Sequence, residues 1–187
     1  RCGAPCWRTL AAPGCQAPSG GLAVARASYV AGCSSTSNVL AGRRYGIPVF
    51  GTHAHSWVMS FDSELEAFRA FAKSSPKNCT LLIDTYDVRE AASMPLRLPR
   101  RLEAVGEAPV GVLRIDSGDL ARGSKRLRKA LDAAGKPYIK LVASNGLDEK
   151  KIANMELYEH AHFDSYGVGE TYITSASDPV FGGVYSW

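Results

Sequence analysis

The sequence lacks any apolar run near the roughly 20 residues needed to cross a bilayer, and its first residues show no basic segment followed by an apolar one. It reads as soluble, with no membrane partner expected. A dominant sign of charge is also missing: 22 Lys and Arg stand against 18 Asp and Glu, a net charge of +4 scattered through helical stretches. That balance is too mild to argue for nucleic acid, so no such partner is expected, although a polyanionic small substrate stays open. Cysteines are few and odd in number, at Cys2, Cys6, Cys15, Cys33 and Cys79, which fits a closed disulfide framework poorly and makes a reducing cytoplasm the easier reading. Cys2 and Cys6 are followed by no second Cys or His pair at ligand spacing, so no zinc is expected.

What is present is 187 residues with 45% hydrophobic content, enough to bury a core and of a length that suits one domain better than two. The sequence opens at Arg1 rather than Met and stops at Trp187 inside a strand-like run, so it reads as a fragment. Residues 1–21, rich in Ala, Pro, Gly and Cys without a period, read as a loop-like lead-in. From Leu22 to Val39 small and apolar residues suggest a helix passing into a loop around Gly32 to Asn38. Helices are expected from Ser63 to Lys73, with a Ser63-x-x-Glu66 capping box and Leu65, Phe68, Phe71 and Ala72 on one face. Another is expected from Asp119 to Ala134, ended by Gly135 and Pro137, and a third from near Asp148. Between them lie short apolar runs that finish in polar residues: Leu81–Ile83 before Asp84, Val110–Leu113 before Arg114 and Asp116, Lys140–Ala143 before Ser144 and Asn145, and Phe163–Tyr166 before Gly167. This β and α alternation implies an α/β fold with parallel strands, whose polar strand ends converge on one mouth in a barrel or along one edge of an open sheet.

Three constellations carry chemistry. His53 and His55, two apart before a helix, would share a face in a strand and aim at one ligand; a pair of partly buried histidines is the simpler reading, and a metal pair is weaker for want of nearby carboxylate or thiolate spacing. Asp84 and Asp116 follow apolar strands directly, where carboxylates bind ribose hydroxyls, hold Mg²⁺ or stabilise a cationic sugar transition state. Helix capping competes with chemistry for Ser117 and Asp119. The run Gly167-Val168-Gly169-Glu170-Thr171 suits a phosphate held by backbone N–H groups, or an ordinary tight turn. The basic residues from Lys125 to Lys129 read as a solvated helix face.

Taken together, the stretches Thr36–Gly42, Tyr45-Gly46-Ile47-Pro48-Val49, Gly51-Thr52-His53-Ala54-His55-Ser56-Trp57-Val58-Met59-Ser60-Phe61, Leu81-Leu82-Ile83-Asp84-Thr85-Tyr86-Asp87 and Arg114-Ile115-Asp116-Ser117-Gly118-Asp119-Leu120 resemble the nicotinate phosphoribosyltransferase family, in order and spacing. The resemblance implies that residues 22–187 are the central part of an irregular β/α barrel of the type II phosphoribosyltransferase kind, in a cytoplasmic homodimer. It implies an enzyme of NAD biosynthesis that joins nicotinate to phosphoribosyl pyrophosphate with Mg²⁺ and ATP. On that resemblance His55 is the histidine phosphorylated by ATP, His53 fills the variable place before it, and Asp84 and Asp116 lie near ribose, Mg²⁺ and the developing oxocarbenium charge. Thr52 and Arg114 fall at the nicotinate site, Asn38, Ser117 and Gly118 among the substrate contacts, and Gly167, Gly169 and Thr171 at the 5′-phosphate. The sequence departs from the family in Pro13-Gly14-Cys15 before Gln16, where a double arginine is common, in Glu170, where threonine is usual, and in Gly146, where aspartate is usual. Two alternatives stay open: an inert member of the family, and a related type II enzyme acting on nicotinamide or quinolinate.

Overall fold

The computed structural model describes residues 6–9, as backbone, together with residues 17–77, 79–86 and 110–174. In chain order the elements are β1 (Cys6–Thr9), α1 (Pro18–Val30), β2 (Ser35–Thr36), α2 (Val39–Tyr45), α3 (His55–Met59), α4 (Glu64–Ser74) and β3 (Thr80–Leu82). There follow β4 (Val112–Ile115), α5 (Leu120–Ala133), β5 (Lys140–Ala143), α6 (Glu149–Leu157), β6 (Ser165–Val168) and α7 (Glu170–Ile173). The contacts cluster into two compact units, each made of segments distant in the chain. The first comprises Arg1–Gly51, Ser144–Ala153 and Ser165–Trp187, and the second Thr52–Ala143 with Asn154–Asp164.

In the first unit β1 pairs in parallel with β2, through Thr9 opposite Thr36, and with β6, through Thr9 opposite Val168. The loop-like reading of residues 1–21 is corrected at both of these places: Cys6–Thr9 is a strand, and α1 starts at Pro18. Proline's fixed φ and missing N–H suit a first helical position, a start signal that the surrounding small residues disguised. Those small residues then become the packing face of α1, burying Gly21, Ala25 and Ser28. After a turn at Gly32 the chain forms β2 rather than only loop, and α2 begins with the side chain of Asn38 accepting the Ala41 N–H at 3.0 Å. Gly42 on α2 sits where a Cβ would strike Val49 Cγ2 and lie 3.1 Å from the Ile47 carbonyl, so the close approach of this helix to the following chain requires glycine.

The second unit carries three parallel strands in the order β3, β4, β5, with Leu82 opposite Arg114 and Arg114 opposite Val142. Its core gathers Leu81, Ile83, Leu113, Ile115 and Leu141 from or beside the strands with Phe68 of α4 and Leu127 and Leu131 of α5. Such continuous apolar runs are what strands buried on both faces require. Ser63 accepts the Glu66 N–H at 3.3 Å to start α4, as its motif predicts. Asp119 starts α5 by accepting the Arg122 N–H at 2.9 Å, and Gly135 at φ 69° ends it, with the Lys136 N–H returning to the Leu131 carbonyl. On the basic face of α5, Arg128 differs from a solvated charge. It pairs with Asp132 at 3.0 Å and donates to the Ile139 carbonyl at 2.7 Å, clasping the loop that leads into β5.

Strand ends differ from the apolar runs by up to two residues. β4 is Val112–Ile115 rather than 110–113, and β6 is Ser165–Val168 rather than 163–166. Backbone pairing sets these ends, since Val112 pairs with both Thr80 and Lys140. The α/β alternation itself stands, and every strand pairing named here is parallel.

Candidate active site

The register of β3 and β4 creates the site. Leu82 lies opposite Arg114, so Asp84 and Asp116, each two residues further on, emerge side by side where the strands end. Asp84 is buried, and its Oδ2 accepts the Asp116 N–H at 2.7 Å and the Ser117 hydroxyl at 2.6 Å. These are charge-assisted bonds, and they tie the two strand ends together. Its other oxygen, Oδ1, is buried and has no hydrogen-bond partner among the described residues. Asp116 in turn pairs through Oδ1 with the Arg114 guanidinium at 2.9 Å and through Oδ2 faces His55 Nε2 at 3.6 Å. The side chain of Arg114 is 15% exposed and that of His55 38%, so the cluster opens to solvent on the histidine side.

An aromatic cluster places His55. It is the first residue of α3, a helix of five residues, and the Trp57 indole two residues on donates to the Ala67 carbonyl of α4 at 3.2 Å. Trp57 also stacks tilted on Phe61 at 5.0 Å and edge-on to Phe71 at 6.4 Å. With α3 held in this way, the His55 ring reaches the strand ends, where its Nδ1 lies 3.1 Å from the Thr85 hydroxyl. Thr52 donates its hydroxyl to the Thr80 carbonyl at 2.9 Å, anchoring the start of this segment on β3.

His53 and His55 do not share a face, because residues 51–54 form no strand and the helix starts at His55 itself. His53 points into the core, edge-on to Phe71 at 4.8 Å, and its Nε2 accepts the Leu82 N–H at 3.2 Å. Burial pushes its pKa down from 6.5 to about 4; an interaction with the Ala54 backbone opposes this, and the charges of Arg114 and His55 reinforce it. His53 is therefore a neutral structural residue near physiological pH.

The structure thus brings His55, Asp84, Arg114, Asp116 and Ser117 together in the second unit, with Gly118 in the following turn at φ 71°, whereas Thr52 meets the Thr80 carbonyl at the start of β3. Ser117 spends its hydroxyl on Asp84, while capping of α5 falls to Asp119. Asn38, Gly167, Gly169 and Thr171 belong to the first unit. There Asn38 caps α2, Gly167 is buried inside β6 rather than in the loop beyond it, Gly169 precedes α7, and Thr171 is exposed in the first turn. Pro13, Gly14, Cys15, Gln16 and Asp87, and the side chains of Cys2 and Cys6, lie outside the described residues. Among the described cysteines, Cys33 and Cys79 are free thiols. Thr85 is the residue that the sequence left without a role; its place directly after a strand-end aspartate was the available signal.

Parallel strands linked by helices, with two aspartates and an arginine at or near adjacent strand ends and a histidine facing them, define an α/β protein with a charged cluster at the strand ends. The sequence pattern of the nicotinate phosphoribosyltransferase (NAPRTase) family matches residues 19–177, and the chain belongs to that family. It is 44% identical over 162 residues to a nicotinate phosphoribosyltransferase of Mycobacterium tuberculosis, covering 87% of this chain and 34% of that protein. It is also 42% identical over 166 residues to the Bacillus subtilis enzyme, covering 86% and 32%. The fold matches the crystal structure of human nicotinic acid phosphoribosyltransferase with a TM-score of 0.74 at 27% identity, over 89% of this chain and 44% of that one. The chain therefore spans about a third of the length of the curated relatives named here. No helix among the described residues is long and apolar enough to cross a membrane.

Proposed function

We propose that the chain supplies the catalytic centre of a nicotinate phosphoribosyltransferase, which joins nicotinate to phosphoribosyl pyrophosphate, releases pyrophosphate and couples the step to ATP hydrolysis. The observation that carries this reading is the cluster of His55, Arg114, Asp116 and Asp84 at the ends of β3 and β4. Arg114 presents a planar guanidinium, which suits the flat carboxylate of nicotinate better than the neutral amide of nicotinamide. Asp84 and Asp116 place negative charge where a sugar ring becomes cationic as its bond to pyrophosphate breaks. His55, at the exposed edge, is the nucleophile for ATP: its ring nitrogen bonds to the terminal phosphorus as the bridging P–O bond breaks, and ADP leaves.

The residues fit Mg²⁺ as well. This ion takes one or two carboxylates and completes its shell with water and substrate phosphates, and the buried, unpartnered Oδ1 of Asp84 beside Asp116 is such a donor set. When bound there, the ion offsets the charge of the pyrophosphate leaving group. On this reading the enzyme is a cytoplasmic homodimer, as its resemblance implies.

Labelled ATP tests the assignment: His53→Ala protein should still take up acid-labile phosphate, whereas His55→Ala protein should not. Labelling that survives His55→Ala and disappears with His53→Ala would refute it.

A further inference from the structure

Both nitrogens of the His55 ring face a polar group, and the two groups come from different strands. Nδ1 lies 3.1 Å from the hydroxyl of Thr85, just beyond β3, and Nε2 lies 3.6 Å from a carboxylate oxygen of Asp116, just beyond β4. The spacing between these partners is fixed, because Asp84, the neighbour of Thr85, accepts both the backbone N–H of Asp116 and the hydroxyl of Ser117. The ring itself is 38% exposed, so packing alone does not hold it. A carboxylate can only accept, whereas a hydroxyl can donate or accept. The Thr85 hydroxyl can therefore hold Nδ1 whichever way the proton lies, which leaves Nε2 as the nitrogen that meets phosphorus. At 3.6 Å the Asp116 contact is longer than a hydrogen bond, which leaves the Thr85 contact as the one that fixes the ring's angle.

We propose that Thr85 is the positioning residue of His55, its hydroxyl setting the orientation of the ring. The catalytic consequence rests on the phosphohistidine reading above, whereas the state of the ring does not. A nucleophile held within a fraction of an ångström of its attack line loses rate steeply when released, so removal of the hydroxyl should slow phosphoryl uptake from ATP by about tenfold or more. The β-branched shape of valine matches that of threonine, so Thr85→Val removes the hydroxyl with the least change in packing.

The experiment records the imidazole ¹⁵N signals of the purified protein, assigning His55 by the signals that vanish in His55→Gln, alongside the rate of phosphohistidine formation from labelled ATP. The expected wild-type Nδ1 signal is that of a hydrogen-bonded nitrogen. Thr85→Val should shift the Nδ1 signal toward that of a free nitrogen and slow phosphorylation, and Thr85→Ser should restore both. Unchanged His55 signals in Thr85→Val, or phosphorylation at the wild-type rate in that variant, would each overturn the proposal. If the wild type takes up no phosphate while its ring signals respond to Thr85→Val and Thr85→Ser as expected, the phosphohistidine reading falls and the positioning role stands.

Discussion

His53 ties the active-site segment to the sheet while remaining uncharged, and this has a consequence for pH. Its folded pKa, about 4, lies below the ordinary 6.5. Between those values the unfolded chain binds the extra proton and the folded chain does not, so stability is fully present above pH 6.5 and is lost as the pH falls toward 4. The shift corresponds to roughly 3 kcal/mol. Urea unfolding midpoints measured across this window should fall for the wild type and fall less for His53→Gln, whose amide can still accept the Leu82 N–H; parallel curves would contradict the assignment. Arg114 makes the second prediction at this scale. Arg114→Gln should cut the preference for nicotinate over nicotinamide by a factor of ten or more, since a charge-assisted bond contributes about 1.5–3 kcal/mol; competition binding of the two ligands measures it. Asp84, Arg114 and Asp116 were legible in the sequence because each ends an apolar run. The divergence of His53 from His55 was not, because it depends on where a short helix begins and on which neighbours offer an apolar wall.

At the scale of elements, α5 shows which signals survive translation from sequence to structure. Its span and its terminal glycine were readable, and Leu131, toward the C-terminal end of its buried face, is fully buried. Leu131→Ala should cost about 2–5 kcal/mol through the cavity it leaves, read as a loss of unfolding free energy with the α5 helix otherwise intact. The start of α1 was illegible for a physical reason: small residues carry little hydrophobic period, and their contribution is close packing, visible only once the partner is present, while β1 spans four residues, too few for an alternating period to stand out. The turn between β6 and α7 makes a different prediction. Glu170 is exposed in the first turn of α7, where its charge favours the helix but repels a phosphate. Glu170→Thr should therefore tighten binding of phosphoribosyl pyrophosphate by about tenfold, with little change in stability, since a helix-terminal charge contributes only about 0.3–1 kcal/mol. Unchanged or weaker binding by calorimetry would remove the turn from the phosphate site.

For the molecule as a whole, the alternation of strands and helices from α4 onward, the family and the aspartate-bearing strand ends could be read along the chain. The division into two units could not, because it depends on which distant segments pack together: the segments 144–153 and 165–187 cluster with the N-terminal part rather than with their neighbours in sequence. The central claim is that the cluster of His55, Arg114, Asp84 and Asp116 performs nicotinate phosphoribosyl transfer. The direct measurement is pyridine-nucleotide formation by a chimera in which residues 19–177 replace the matching segment of the Bacillus subtilis relative. With Mg²⁺, ATP and phosphoribosyl pyrophosphate present, it should make nicotinate mononucleotide, use nicotinamide poorly, and lose turnover with Asp116→Asn. A folded chimera that turns over nicotinamide as fast as nicotinate, or makes no nucleotide at all, would contradict the account.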